Sequence, residues 1–137
     1  MVRDAPTFGS IASALHSLLA GRVVVAHHLP FDAKFLIAQF AQAGIAAPEI
    51  WEGVCTLSVA KQHIDATRHQ LAGCCRHAGI DLIDAHNAIG DATATAKLLG
   101  YFLRHGVPLP GTAVTSAALV PPQREPVETL LRPRAAS

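Results

Sequence analysis

Apolar residues recur along most of the chain with a period that alternates between that of a helix and that of a strand. Over residues 7 to 20, Phe8, Ile11, Leu15, Leu18 and Leu19 return at the spacing of one helical face, while Ser10, Ser13 and His16 occupy the other. Thr7 is placed to cap that helix and Gly21 to end it. The run Val23-Val24-Val25-Ala26-His27 is the pattern of a short strand covered on both faces, and so of a central parallel strand. Pro30 fits a first helical turn, after which Phe31, Phe35, Leu36 and Phe40 form a stripe ending near Gly44, with Asp32 in the first turn. Gly53 to Leu57 predicts a second short strand, followed by helices at about 58 to 65 and 69 to 78, the latter stopped by Gly79. The last helix runs from about Asn87 to Arg104, with Ala88, Ala92, Ala96, Leu99 and Leu103 as its stripe and Gly106 and Pro108 ending it.

Two strands give little sheet for this much apolar sequence, because an isolated two-stranded sheet is marginal unless something packs on it. A strand as apolar as Val23 to Ala26 needs neighbours on both edges, and the sequence supplies one. A partner that should lie beside it is therefore expected to be absent from this chain. Six of the nine prolines fall after residue 105, where periodicity also stops, which divides the chain into a core over 1–106 and a Pro-rich tail or linker over 107–137.

Composition narrows the class. A hydrophobic fraction of 50% over 137 residues is enough for one compact core and excludes disorder throughout. No stretch approaches the roughly 20 apolar residues that span a bilayer, and no leader pattern opens the chain, so a cytoplasmic location without membrane contact is expected. Cys55, Cys74 and Cys75 are an odd set without Cys-x-x-Cys spacing, which reads as reduced, packing thiols. The net charge of +1 carries no broad signature of nucleic-acid binding, so any contact with phosphates must be local.

Two segments carry candidate chemistry. In the first, the apolar run leads through His27-His28 into a helix bearing Asp32; in the second, His86 precedes Asp91 by five residues at the start of an alanine-rich helix. Two-metal phosphodiester hydrolysis needs carboxylates from separate segments to hold two hard cations about 3.5 to 4 Å apart, and Asp32 and Asp91 offer one each. The small residues Ala88, Gly90, Ala92, Ala94 and Ala96 would let the second helix approach a sheet closely. His86 is the natural general base, since an imidazole titrates near neutrality. Taken singly, each residue also has a plain structural reading: Asp32 as an acid favoured by the helix dipole, His86 as a solvated loop histidine, Asp91 as a surface carboxylate. His27 and His28 read as structural rather than as ligands, and His16, His63, His69, His77 and His105 show no ligand spacing.

The joint pattern adds to this. The strand with His27, then Phe31-Asp32 and Phe35-Leu36, then Leu71-Ala72, Gly79-Ile80 and His86-x-Ala88-x-x-Asp91-Ala92-x-Ala94-Thr95-Ala96, resembles in order and spacing the second and third motifs of the DnaQ-like, DEDDh family of 3′ to 5′ exonucleases, which includes the epsilon subunit of DNA polymerase III. The resemblance covers about residues 5 to 104 and implies an α/β, ribonuclease H-like exonuclease fold. It implies two Mg2+ or Mn2+ ions, release of nucleoside 5′-monophosphates from a DNA or RNA 3′ end, and a polymerase complex or self-association as further partners. By that resemblance Asp32 matches the metal-binding aspartate of the second motif, Asp91 that of the third, and His86 the general base. Two departures stand out. His28 occupies the place where the family commonly has Asn, and the family's Asp-x-Glu pair and three leading strands are missing before residue 5, so the fold is expected to be N-terminally truncated and inactive alone. The alternative is a non-catalytic nucleic-acid-binding or protein-interaction module, with Pro108 to Ser137 as a tether and self-association covering the strand edge. An unrelated α/β domain with matching motifs is the third reading.

Overall fold

The computed structural model describes residues 4–83 and 86–110. The expected tail therefore lies outside the described residues from 111 onward, as does Met1-Val2-Arg3. Five helices and two strands follow one another: α1 Phe8–Leu19, β1 Val25–Ala26, α2 Leu29–Gln42, β2 Val54–Cys55, α3 Thr56–His63, α4 Leu71–His77 and α5 Ala88–Arg104. Their order is the one the periodicity predicts, because glycines in the left-handed region at 21, 44, 79 and 106 end α1, α2, α4 and α5. Thr7 stands at the N-cap of α1, although its side chain makes no capping bond; instead the Ser10 hydroxyl donates to the Thr7 carbonyl at 2.7 Å. The helix expected over 58 to 65 begins earlier, at Thr56, directly from the end of β2. No helix among the described residues is long and apolar enough to cross a membrane.

β1 and β2 are parallel, with Val25 opposite Val54 and Ala26 opposite Cys55. Alternation along the strands separates two half-cores. On one face Val54, with Val25 against it, joins Val59, Ala60, Ile64, Cys74, Leu98 and Phe102 from α3, α4 and α5. On the other, Ala26 and Cys55 pack against Ala12, Leu29, Ala33, Phe40 and Ile50, mainly from α1 and α2. The result is a three-layer α/β/α arrangement around a very narrow sheet. Both faces of β1 are covered as expected, but the strand is only two residues long and its residues are half-buried, with Val23 45% exposed. The Val54 N–H donates to the Val24 carbonyl at 2.8 Å, which turns the backbone of Val24 and Ala26 towards β2 and that of Val25 towards the opposite edge. Among the described residues no strand lies there.

Three helices keep part of the predicted stripe against the core, Phe8, Leu15 and Leu19 in α1, Leu36 and Phe40 in α2 and Leu99 in α5, but their most buried residues depart from it. In α1 the fully buried residue is Ala12, while Leu18 is 44% exposed and His16, assigned to the polar side, meets the Phe40 ring edge-on. In α2 the buried residues are Leu29, Ala33 and Phe40, whereas Phe31 and Phe35 are 57% and 54% exposed. The small side chains of Ala12 and Ala33 share one half-core, where they let α1 and α2 approach closely while Phe8 packs edge-on against Phe40 at 5.1 Å. In α5 the inward residues are Ala94, Thr95, Leu98 and Phe102; Ala88, Ala92 and Ala96 face outward. The core also extends past the expected boundary at residue 106, since Val107 and Leu109 pack on the α3, α4 and α5 side.

Gly53 fixes the approach of β2 to β1. A Cβ there would press on the Val24 carbonyl and come within 3.0 Å of both the Ile50 carbonyl oxygen and a Leu29 methyl. Backbone cannot yield as a flexible side chain can, so Gly53→Ala is expected to cost about 1 to 3 kcal/mol through overpacking. Urea denaturation checks this; a variant as stable as the parent would show that the strands separate freely at this point.

Candidate active site

The three residues singled out by the sequence stand at the beginnings of α2 and α5. β1 leads through His27 and His28 into α2, so Asp32, exposed in the first turn of α2, lies beyond the carboxyl end of β1, where ligands of parallel sheets collect. α5 also packs against β1. Its N-cap is Asn87, whose side chain accepts from the Ile89 N–H at 2.9 Å, and the Asp91 N–H donates to the Asn87 carbonyl at 2.9 Å. This cap starts α5 so that Asp91 falls in its first turn. Asp91 is half-buried, and the series Asp91, Ala94 and Thr95, Leu98, Phe102 places it on the inward face of the helix. Burial raises the Cys75 thiol above its ordinary value, and the nearby Asp91 carboxylate raises it further. Asp91 thus lies at the margin of the α5 face that packs on α4, half-buried.

His86 is exposed and precedes the cap with φ of +71°, in the left-handed region that a residue with a Cβ seldom occupies. Among the described residues no group of three or more His, Cys, Asp or Glu side chains is placed to hold a metal ion. The structure thus sets two carboxylates on helices that share one strand, but does not gather them with a third donor. Two hard cations need more oxygen ligands than this, so the described donors alone do not fit a two-ion site.

His27 is held as the sequence predicts of a structural histidine. A carbonyl can only accept, so the contact of Nε2 with the His69 carbonyl at 2.7 Å places the proton on Nε2 and leaves Nδ1 to accept from the Thr56 hydroxyl at 3.0 Å. His69 in turn donates from Nε2 to the Ile64 carbonyl at 2.9 Å. These bonds tie β1 to α3 and to the segment leading into α4. Burial lowers the His27 pKa; its hydrogen bond to the His69 carbonyl acts the other way, and the neighbouring imidazoles of His28 and His69 lower it further. The unfolded chain therefore takes up a proton near pH 6.5 that the folded one refuses, so this residue's destabilising effect is absent above that pH and grows as pH falls through the lowered folded value. The melting temperature is expected to fall between about pH 7 and about pH 5, and His27→Gln to flatten that fall. An unchanged slope in the variant would remove His27 as its source.

Sequence reading placed Phe31 and Phe35 in the core, and so missed an exposed aromatic row. His28 stacks on Phe31 with ring centroids 6.0 Å apart and planes 14° from parallel, and Phe31 meets Phe35 at 4.9 Å. The signal present in the sequence was their i, i+4 spacing around Asp32, which fits a functional surface as well as a buried stripe.

A family model described as exonuclease matches residues 1–99. A PolC-type DNA polymerase III of Oceanobacillus iheyensis is 34% identical over 102 residues, which cover 72% of this chain and 7% of the polymerase. The 3′-5′ exonuclease DinG of Staphylococcus aureus (strain USA300) is 31% identical over 101 residues, covering 72% of this chain and 11% of that protein. The chain therefore spans only a small part of the length of the curated relatives it matches, 7% and 11% for these two. No solved structure matches it.

Proposed function

The chain belongs to the exonuclease family, and from that premise we propose that it forms part of a DEDDh-type 3′ to 5′ exonuclease that hydrolyses nucleic-acid 3′ ends to nucleoside 5′-monophosphates. The observation that carries this reading is the placement of Asp32 and Asp91 in the first turns of two helices packed on the same strand, with Asp91 on the inward face. In this reading both aspartates are ligands of Mg2+ or Mn2+, and His86, standing just ahead of the Asn87 cap, is the general base. The further carboxylates come from strands that continue the sheet beyond the open edge of β1, giving the ribonuclease H-like fold that the family resemblance implies. Until those carboxylates are supplied, the chain is an inactive portion of the domain, its core reaching to Leu109. The polymerase relative supports a polymerase complex as one setting for such a domain. Three free thiols, Cys55, Cys74 and Cys75, support a cytoplasmic one. The test is release of nucleotides from a labelled single strand in Mg2+ or Mn2+ by the domain completed with a strand carrying an acidic pair, lost in Asp91→Ala.

A second reading is favoured by the same edge of β1, along which no strand lies among the described residues. A free parallel edge is a template for pairing with another chain, so a short form that is stable by itself would act as a non-catalytic binding module whose copies cover that edge. Size-exclusion chromatography separates the two: a well-folded oligomer supports the module, whereas a monomer or an aggregate opposes it.

A further inference from the structure

A groove of about 600 Å³ opens beside the aromatic row. His28, in the turn between β1 and α2, is common to both. Lys61 on α3 and Arg68 in the segment before α4 line the groove, and both are exposed. No carboxylate is among its lining residues, and Leu57 and Leu71 supply an apolar floor. The two cations are seven positions apart and come from different elements, so only the fold brings them to one cleft.

Resting on the exonuclease reading, we propose that this groove and the row His28, Phe31 and Phe35 form one binding track for single-stranded nucleic acid. Its phosphates lie along Lys61 and Arg68 and its bases stack on the rings. The pairing of a positive groove with exposed aromatic faces is how sequence-tolerant single-strand sites are built. Charge sets the direction. Asp32 stands next to Phe31 in α2 and repels phosphate, so the anionic backbone runs in the groove while uncharged bases occupy the rings beside the carboxylate. The strand is thereby led towards Asp32, and the net charge of +1 is reconciled with nucleic-acid binding because the contact is local.

The test needs no catalysis. Fluorescence anisotropy follows the full chain binding a 5′-labelled oligothymidylate about ten nucleotides long, in EDTA, over a range of salt. Lys61→Ala and Arg68→Ala are each expected to weaken binding and to lower the slope of log Kd against log salt by about 0.7. Phe31→Ala is expected to weaken it about 5- to 100-fold with the slope unchanged, and Phe31→Leu, which keeps the apolar bulk, to do so as well. Arg22→Ala, in a separate cleft beside Glu49 and Glu52, should change neither. Absence of binding by the parent chain, or affinities and slopes unmoved by the Lys61, Arg68 and Phe31 changes, overturns the track. Because binding is read without metal, its failure is distinct from a failure of the exonuclease reading, which is tested by hydrolysis in the completed domain.

Discussion

Phe102→Ala is expected to cost about 3 to 5 kcal/mol and to leave the chain largely unfolded at physiological temperature. Phe102 is fully buried in the half-core that joins α5 to α3, α4 and β2, with the Tyr101 ring 5.8 Å away. Truncation removes the ring's transfer free energy and leaves a cavity that helices on both sides cannot close. The loss is large relative to the roughly 5 to 15 kcal/mol that stabilises a typical domain, and this sheet of two short strands adds little reserve. Phe31→Ala removes the same side chain from an exposed position and is expected to stay within about 0.5 kcal/mol. Urea denaturation of the two variants is the check. Equal costs would mean that Phe31 is buried in solution, or that the α5 core is not formed as described.

A second large effect is expected on catalysis. In a version of the protein completed by a strand that carries an acidic pair beside β1, His86→Ala should lower kcat about 10²- to 10⁴-fold, as loss of the proposed general base would. Asp91→Ala should cost at least as much, because in the proposed site it removes a metal ligand rather than a proton acceptor. Stability distinguishes this from a structural role. Asp91 is half-buried, and Asp91→Ala replaces it with a small side chain of high helix propensity. Asp91→Ala should therefore leave stability unchanged or increase it, the signature of a residue kept for function at some expense to the fold. A variant that loses stability while keeping activity would place Asp91 among the structural residues.

The element order was legible because glycine and proline punctuate the chain at Gly21, Pro30, Gly44, Gly79 and Gly106, and each punctuation has a local cause. Helix phase was less legible. Periodicity follows the largest side chains, whereas close packing at the α1 and α2 contact depends on Ala12 and Ala33. Phe31 and Phe35 then fall on a face with no cover among the described residues. The same error in α5 set Ala88, Ala92 and Ala96 on the core stripe; the observed stripe through Ala94, Leu98 and Phe102 includes Asp91, which the sequence phase had left off it. Asp32, His86 and Asp91 could be found as candidates because short-range spacing carries their pattern. The convergence of Lys61 and Arg68 could not, since it depends on how α3 and the segment before α4 meet in space.

The most direct test adds Mn2+ to the 137-residue chain already bound to a 5′-labelled single strand, with Asp91→Ala run in parallel, and follows the length of the strand over time. The expected result is a strand bound by both proteins and shortened by neither, because among the described residues no third carboxylate joins Asp32 and Asp91 in the proposed two-ion site. Stepwise shortening from the 3′ end by the parent chain, abolished by Asp91→Ala, would contradict this and show that the chain completes the site by itself.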